Sequence, residues 1–241
     1  MTWYHAVAER EHDLQNPTSG EKIRLAGERI RLGPASRVLD VAAGRAGPAL
    51  VLAQAFGCRI TCVERAHEFA DAARRRIRDA GLETLVEVVE QDGRQFPLEP
   101  AAYDAGLCLG ATFVWDDLDG TLDAFVPAVR TGGYIVVGEP FWRRWPLPDG
   151  VDDEGYLPLA ETVERIERHG LPVVSIVAAS DDDWDRYESL HWRSLEEWLA
   201  EQSDDPDAEA IRAEYRRWKK RYLQVQRDLL GWAIFVAWKR G

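Results

Sequence analysis

One short segment, residues 37–48, constrains the fold of this chain more than any other. It reads RVLDVAAGRAGP, a strand-like apolar run that passes into a turn of small residues and then into a helical pattern. The next apolar run, residues 59–63, ends at Glu64. In an α/β sheet, such a turn lets the backbone approach a nucleotide, and a carboxylate at the tip of the neighbouring strand accepts hydrogen bonds from ribose hydroxyls. The segment therefore predicts a cofactor that contains adenosine.

Strand-like runs alternate with helical patterns through the first part of the chain. Such alternation predicts a parallel sheet with helices on both faces, and ligands bind these sheets outside the carboxyl ends of the strands. The predicted strands are 37–41, 59–63, 85–90, 103–109 and 133–138, and the predicted helices between them are about 48–56, 67–80 and 117–130.

The last part of the chain breaks this alternation. A helix is predicted at about 159–169 and a strand at 172–178, but the last strand-like run, 232–238, follows only after a long insertion. In that insertion, apolar residues spaced three and four apart predict one regular helix from 208 to 229. Its apolar stripe would pack on the protein's own body or against a second copy. The stripe consists of Ala208, Ile211, Tyr215, Trp218, Tyr222, Val225 and Leu229.

Composition excludes several classes of protein. A net charge of −12 disfavours nucleic acid as a partner, because such binding requires neutralised phosphates. No apolar run approaches the roughly 20 residues that span a membrane, and the charged N-terminal region lacks a secretory signal. Three cysteines, without a second ligand pair at zinc-like spacing, indicate a reducing compartment. We therefore expect a cytoplasmic protein, monomeric or homodimeric, with no metal site.

The turn after the first strand is compatible with two classes of cofactor. Ala42, Gly44 and Gly47 have the spacing of a nicotinamide-dinucleotide turn, and Glu64 lies at a suitable distance. Asp40 opposes that interpretation, because a carboxylate at this strand tip would repel a pyrophosphate. The same carboxylate suits a cofactor that has no phosphate and carries positive charge. S-adenosylmethionine, with a sulfonium and an ammonium group, is such a cofactor, so the electrostatics favour it.

Further motifs occur in a recognisable order. Residues 91–93 (QDG) follow the third strand, Tyr103-Asp104 opens the fourth, which ends at Leu109-Gly110, and residues 131–134 (TGGY) lead into the fifth. With Asp40 and Glu64, these motifs make the chain similar to class I S-adenosylmethionine-dependent methyltransferases over about residues 34–140 and the closing strands. Residues 138–142 and 184–189 also resemble those of uncharacterised bacterial small-molecule methyltransferases.

The resemblance implies a Rossmann-like sheet of seven strands in the order 3-2-1-4-5-7-6, with the last strand antiparallel and a helical lid inserted before it. Residues 1–241 would be a single methyltransferase domain. Within it, 1–32 would form an N-terminal lid and helix, 33–140 the cofactor-binding core and 181–230 a helical substrate cap. The cofactor-binding residues implied by the resemblance are Asp40, Ala42, Gly44, Gly47, Glu64, Arg65, Asp92, Gly93 and Gly110.

Two residues of the turn depart from the family's pattern. The family usually has glycine at the positions of Ala42 and Ala46. Alanine tolerates a positive φ poorly, so if either position needs one, we expect the loop to be reshaped.

Methyl transfer from a sulfonium is an in-line displacement, so the enzyme holds the nucleophile against the methyl carbon, excludes water and sometimes removes a proton. Glu139, after the fifth strand, is the first candidate for a proton acceptor or an anchor of a cationic substrate, and it fits equally well as a cap of the following turn. Tyr187 and His191, in the insertion, are second candidates. The N-terminal residues Trp3, Tyr4, His5 and His12 would close the other side of the pocket.

The sequence thus predicts a methyltransferase that acts on a small molecule. Three alternatives remain open at this point. One is an enzyme that uses S-adenosylmethionine for other chemistry, since fold does not fix reaction. Another is an NAD(P)-dependent oxidoreductase, which the spacing of the small residues would also permit. The third is a binding or regulatory protein that retains the cofactor without turnover, an alternative that the alanines at positions 42 and 46 allow.

Overall fold

Seven strands form one sheet in the computed structural model, which describes residues 7–241. In chain order they are β1 (Arg37–Val41), β2 (Arg59–Glu64), β3 (Val86–Glu90), β4 (Tyr103–Leu109), β5 (Val129–Trp142), β6 (Val173–Ala178) and β7 (Leu230–Trp238). Across the sheet the order is β3-β2-β1-β4-β5-β7-β6, and β7 runs antiparallel to β5 and β6. The strand order implied by the resemblance is confirmed.

Helices cover both faces of this sheet because successive strand residues point to opposite sides. Val38 packs with the first three helices on one face, and Leu39 packs with the next two on the other. The helices are α1 (Gly20–Arg29), α2 (Gly47–Phe56), α3 (His67–Asp79), α4 (Leu118–Ala128), α5 (Leu159–Glu167), α6 (Asp181–Glu201), α7 (Ala208–Arg221) and the short α8 (Arg227–Leu229). A 3₁₀ turn, Thr112–Trp115, follows β4.

The helix predicted from 208 to 229 is helical over its whole length, but its winding is not uniform. α7 ends at Arg221, a π-helical turn follows at Tyr222–Gln226, and α8 completes the helix at Leu229. The Tyr222 hydroxyl donates to Asp185 Oδ1 at 2.6 Å, a polar contact that accompanies this change in winding.

The apolar stripe of α7 packs on the protein's own body. Ala208, Ile211 and Tyr215 are buried in one cluster with Leu195 and Leu199 of α6. Packing on the protein's own body, rather than against a second copy, therefore describes these three residues of the stripe. The helix pair formed by α6 and α7 lies beside the carboxyl ends of the strands, where it meets the N-terminal segment, defined as residues 7–19. Among the described residues, no helix is long and apolar enough to cross a membrane.

Candidate functional site

A cavity of about 640 Å³ opens at the carboxyl ends of β1, β2, β3 and β4. Its walls come from the turn after β1, the ends of the neighbouring strands, the N-terminal segment and α6. All nine residues predicted to contact the cofactor line it: Asp40, Ala42, Gly44, Gly47, Glu64, Arg65, Asp92, Gly93 and Gly110. The strands bring these residues together from four separate stretches of sequence.

The turn between β1 and α2 is built from left-handed residues. Ala42, Gly44 and Ala46 have φ values of 56°, 55° and 58°. For an L-residue this conformation costs roughly 1–2 kcal/mol, so the two alanines carry strain that glycine would not. The expectation that positive φ would reshape the loop is not met, because the alanines adopt the left-handed conformation themselves.

The glycines of the site make room for the N-terminal segment. A Cβ on Gly44 would lie 2.1 Å from Gln15 Oε1, and one on Gly47 would lie 2.1 Å from the carbonyl oxygen of Asp13. The sequence analysis explained the small residues of this turn only by close approach of the backbone to the cofactor. The structure shows that the protein's own chain also needs the space, a contact that no local motif signals.

Two arginines hold the N-terminal segment across the turn. The Arg45 guanidinium donates to the carbonyl oxygens of Glu9, at 3.1 Å, and His12, at 3.3 Å. Arg76 Nη1 donates to the carbonyl oxygen of Asp13 at 3.1 Å. Backbone carbonyls therefore fix the segment to the turn and to α3, and the side chains of Asp13 and Gln15 add to these contacts by accepting from Arg76 and from the Arg45 amide.

Glu64 ties the turn to the next strand. Its Oε2 accepts the amide of Gly44 at 2.9 Å, and its Oε1 accepts the amide of Ala66 at 2.8 Å. The carboxylate is buried at the tip of β2 but still lines the cavity. Each oxygen has a second lone pair that a ligand hydroxyl can use.

Asp40 is the most strongly perturbed carboxyl in the cavity. Its side chain is buried, and its Oδ2 has no hydrogen-bond partner. Burial, and next the charge of Glu64, raise the pKa of Asp40 to about 7. A buried carboxylate without a partner is costly, and a cation placed beside it would offset that cost.

The N-terminal segment meets α6 through a second polar cluster at the cavity wall. Tyr187, which lines the cavity, donates its hydroxyl to Glu9 Oε1 at 3.3 Å, and His191 Nε2 lies 2.8 Å from the same oxygen. His12 Nε2 donates to the carbonyl oxygen of Tyr187 at 2.9 Å. Burial lowers the pKa of His12. Burial alone would raise the pKa of Glu9, but the hydrogen bond and charge of His191 bring it below its ordinary value. Glu9 was not singled out from the sequence.

The three residues proposed for proton transfer occupy different places. Tyr187 lines the cavity, His191 lies behind Glu9, and Glu139 is not among the cavity-lining residues. Glu139 lies within β5, three residues before its end, beside Thr112, and burial raises its pKa to about 7. The chemical roles of all three stay predictions. Trp3, Tyr4 and His5 lie outside the described residues.

Known proteins match this chain both over one domain and over nearly its full length. The family model of a methyltransferase domain matches residues 38–133, the stretch that builds most of the cavity. The uncharacterised protein YjhP of Escherichia coli strain K12 is 28% identical over 237 residues, which make up 95% of this chain and 95% of that protein.

Two solved structures share the fold over nearly the full length. The S-adenosylmethionine-dependent methyltransferase of Thiobacillus denitrificans, in complex with S-adenosyl-L-homocysteine, is 29% identical with a TM-score of 0.93 and covers 100% of this chain and 99% of its own. The corresponding complex from Geobacter sulfurreducens is 29% identical with a TM-score of 0.92 and the same two coverages. The similarity therefore extends over the N-terminal segment and α6 as well as the sheet.

The strain at Ala42 is testable by substitution. We expect Ala42→Gly to raise the free energy of unfolding by about 0.5–1 kcal/mol, because relief of the left-handed conformation exceeds the extra backbone entropy of glycine. Urea unfolding without ligand measures this. Ala43→Gly is the matched control, because Ala43 is buried and does not have a positive φ. Loss of its methyl group should therefore lower the free energy of unfolding. Equal destabilisation by both variants would refute the strain.

The raised pKa of Asp40 predicts how stability changes with pH. Between its ordinary value of 3.8 and about 7 the folded protein binds a proton that the unfolded chain has lost. This contribution to stability is complete at pH 4 and is lost as the pH rises through 7. We therefore expect the stability of Asp40→Asn, relative to wild type, to increase by at least about 2 kcal/mol from pH 4 to pH 8 in denaturant unfolding.

Asp183 provides a control of opposite sign. Burial alone would raise its pKa, but hydrogen bonds with Lys22 and Ser180 lower it below 3.8. Asp183→Asn should therefore lose stability relative to wild type as the pH rises through the acid range. A difference between Asp40→Asn and wild type that stays constant with pH would contradict the assignment.

Proposed function

This chain is a class I S-adenosylmethionine-dependent methyltransferase, and we propose that it methylates a small molecule bound in the same cavity as the cofactor. The observation that carries the proposal is the way the cavity is covered. The N-terminal segment and α6 contribute Glu9 and Tyr187 to its wall, and these two side chains are hydrogen-bonded to each other. A cavity of about 640 Å³ lies within the usual range of small-molecule pockets.

The cofactor supplies an electrophilic methyl group on a sulfonium when it is bound. In our proposal, Asp40 offsets positive charge of the cofactor through its unpartnered oxygen, and Glu64 accepts hydrogen bonds from the ribose hydroxyls. Asp92 and Gly93, which follow β3, flank the adenine. The orphaned Oδ2 of Asp40 supports this fit, because a buried carboxylate gains from a neighbouring cation.

The other predicted cofactor residues would complete the cofactor side of the cavity. Ala42, Gly44, Gly47 and Gly110 would present backbone to the ligand, and Arg65 is an exposed residue of the cavity wall. Residues 33–140 thus serve as the cofactor-binding core, and residues 1–32 and 181–230 as the cover. Water exclusion by that cover favours in-line transfer, since the reacting groups are held together in a dry site.

Charge and cysteine chemistry support the choice of a small acceptor in a reducing compartment such as the cytoplasm. The net charge of −12 opposes binding to nucleic acid. Cys58, Cys62 and Cys108 are free and buried. Glu139 stays a candidate proton acceptor, although it is hydrogen-bonded to Thr112 and is not among the cavity-lining residues.

Loss of either proposed cofactor carboxylate should weaken binding. We expect Asp40→Ala and Glu64→Ala each to lower the affinity for S-adenosylmethionine at least tenfold, about 1.4 kcal/mol, in isothermal titration calorimetry. Glu90→Ala is the matched control, because Glu90 pairs in register with Glu64 on β3 but lies outside the cavity. Unchanged affinity in folded forms of both cavity variants would overturn the proposed roles.

The nature of the acceptor can be tested with cofactor labelled in the methyl group. Incubated with a cell extract, the protein should release S-adenosylhomocysteine and transfer the label to the small-molecule fraction. The Asp40→Ala variant serves as the control for transfer by other enzymes. Label in protein or nucleic acid would overturn the proposed acceptor class, and release of methylthioadenosine would indicate the alternative chemistry.

A further inference from the structure

Three side chains with metal-binding donor atoms meet where α6 crosses the N-terminal segment. A carboxylate oxygen of Glu9 and one ring nitrogen each of His12 and His191 all lie within 4.8 Å of one another. The His12 side chain is fully buried, and those of Glu9 and His191 are each 16% exposed. Sequence analysis predicts no metal site, because 179 positions separate His12 from His191 and no short motif joins them.

Two of these donor atoms face each other without a hydrogen between them. His12 Nε2 lies 2.9 Å from the carbonyl oxygen of Tyr187. A carbonyl oxygen only accepts, so Nε2 carries the hydrogen and Nδ1 carries a free lone pair. That Nδ1 lies 3.7 Å from Glu9 Oε2, too far for a hydrogen bond, and both buried atoms lack any hydrogen-bond partner. Two orphaned acceptors side by side cost free energy unless a cation lies between them.

We propose that Glu9, His12 and His191 bind a divalent transition-metal ion of the zinc type. Two imidazole nitrogens and one carboxylate oxygen form a donor set that such ions prefer and that leaves coordination positions open. Ligand atoms on one ion lie about 3.0–3.5 Å apart. The two oxygens of Glu9 each face one histidine at a separation near that range, with 2.8 Å between Oε1 and His191 Nε2 and 3.7 Å between Oε2 and His12 Nδ1.

The surroundings orient the ligands as a metal site requires. A metal-bound histidine usually donates its other ring N–H to a carbonyl or carboxylate, and His12 does so to Tyr187. Arg45, which donates to the carbonyl oxygens of Glu9 and His12, fixes the backbone that carries two of the three ligands. The ion would take the place of the proton between His191 Nε2 and Glu9 Oε1.

A second group of similar composition lacks these features. His67, Asp71 and Glu90 also lie within reach of one another, but the His67 side chain is 71% exposed. Arg74 already pairs with both carboxylates, with its Nη1 2.9 Å from Asp71 and 2.9 Å from Glu90. The hydrogen bond with Glu90 raises the pKa of His67, which adds a second positive charge. This surface group therefore needs no further cation and provides an internal control.

The place of the proposed ion suggests how it would be used. Glu9 and Tyr187 both line the cavity, so the open coordination positions would face the space in which we place the acceptor. A carboxylate or hydroxyl oxygen of the acceptor is the ligand that such a position takes. This use rests on the proposed function, whereas binding of the ion does not.

Binding of the metal alone tests the inference. The full-length protein, first treated with a chelator, is titrated with Zn²⁺ in a calorimeter and with Co²⁺ in a visible spectrometer. We expect one equivalent to bind, with Co²⁺ absorption bands of a site with nitrogen and oxygen ligands, and no response to Mg²⁺, which prefers oxygen ligands. We expect His191→Ala and Glu9→Gln each to weaken metal binding by more than about 100-fold. Loss of a residue that only orients a metal ligand already costs about 10–100-fold in metal affinity.

His67→Ala is the matched control and should bind the metal as wild type does. Circular dichroism and binding of S-adenosylhomocysteine to the metal-free variants establish that they are folded and separate this test from that of the cofactor site. The inference is overturned if wild type shows no saturable binding of Zn²⁺ or Co²⁺. It is equally overturned if His67→Ala abolishes binding, or if His191→Ala and Glu9→Gln both retain it.

Discussion

The carboxylate of Glu64 makes the interaction on which the rest of the site depends. By accepting the amides of Gly44 and Ala66, it joins the turn after β1 to the chain that leads into α3. Neither amide belongs to the regular hydrogen bonding of the sheet, so without this carboxylate both would need another partner at a buried edge. One side chain thus fixes the spacing of two strand ends, and the cavity opens between them.

The sequence was sufficient for the sheet because its signals are local. Apolar runs such as those of β1 and β4 are bounded by polar or glycine residues, and they appear where predicted with bounds shifted by no more than a few residues. β5 is longer than predicted, from 129 to 142, because its pairing with β7 continues past Glu139. Strand order came from the resemblance, since no local pattern specifies which strands become neighbours.

The cover of the cavity could not be predicted in the same way. The contact of Glu9 with His191 spans 182 positions, and Glu9 stands in a polar stretch whose residue types favour no particular partner. The stripe in the insertion gave the right face of α7 and the right ends of the helix, but not the change in its winding. Its periodicity records apolar spacing only, whereas the winding changes at Tyr222, whose hydroxyl reaches Asp185.

The buried carboxyl of Asp40 makes this site responsive to the charge of whatever occupies it. Burial raises the pKa of this carboxyl to about 7, so Asp40 can hold a proton near neutral pH. A cation that settles beside it expels that proton into the buffer, so the measured heat of binding would depend on the ionisation enthalpy of the buffer. Methyl transfer would remove the sulfonium charge from the cofactor but leave its ammonium group. The heats of binding of the fresh and the spent cofactor would therefore differ in their dependence on the buffer only if Asp40 faces the sulfonium.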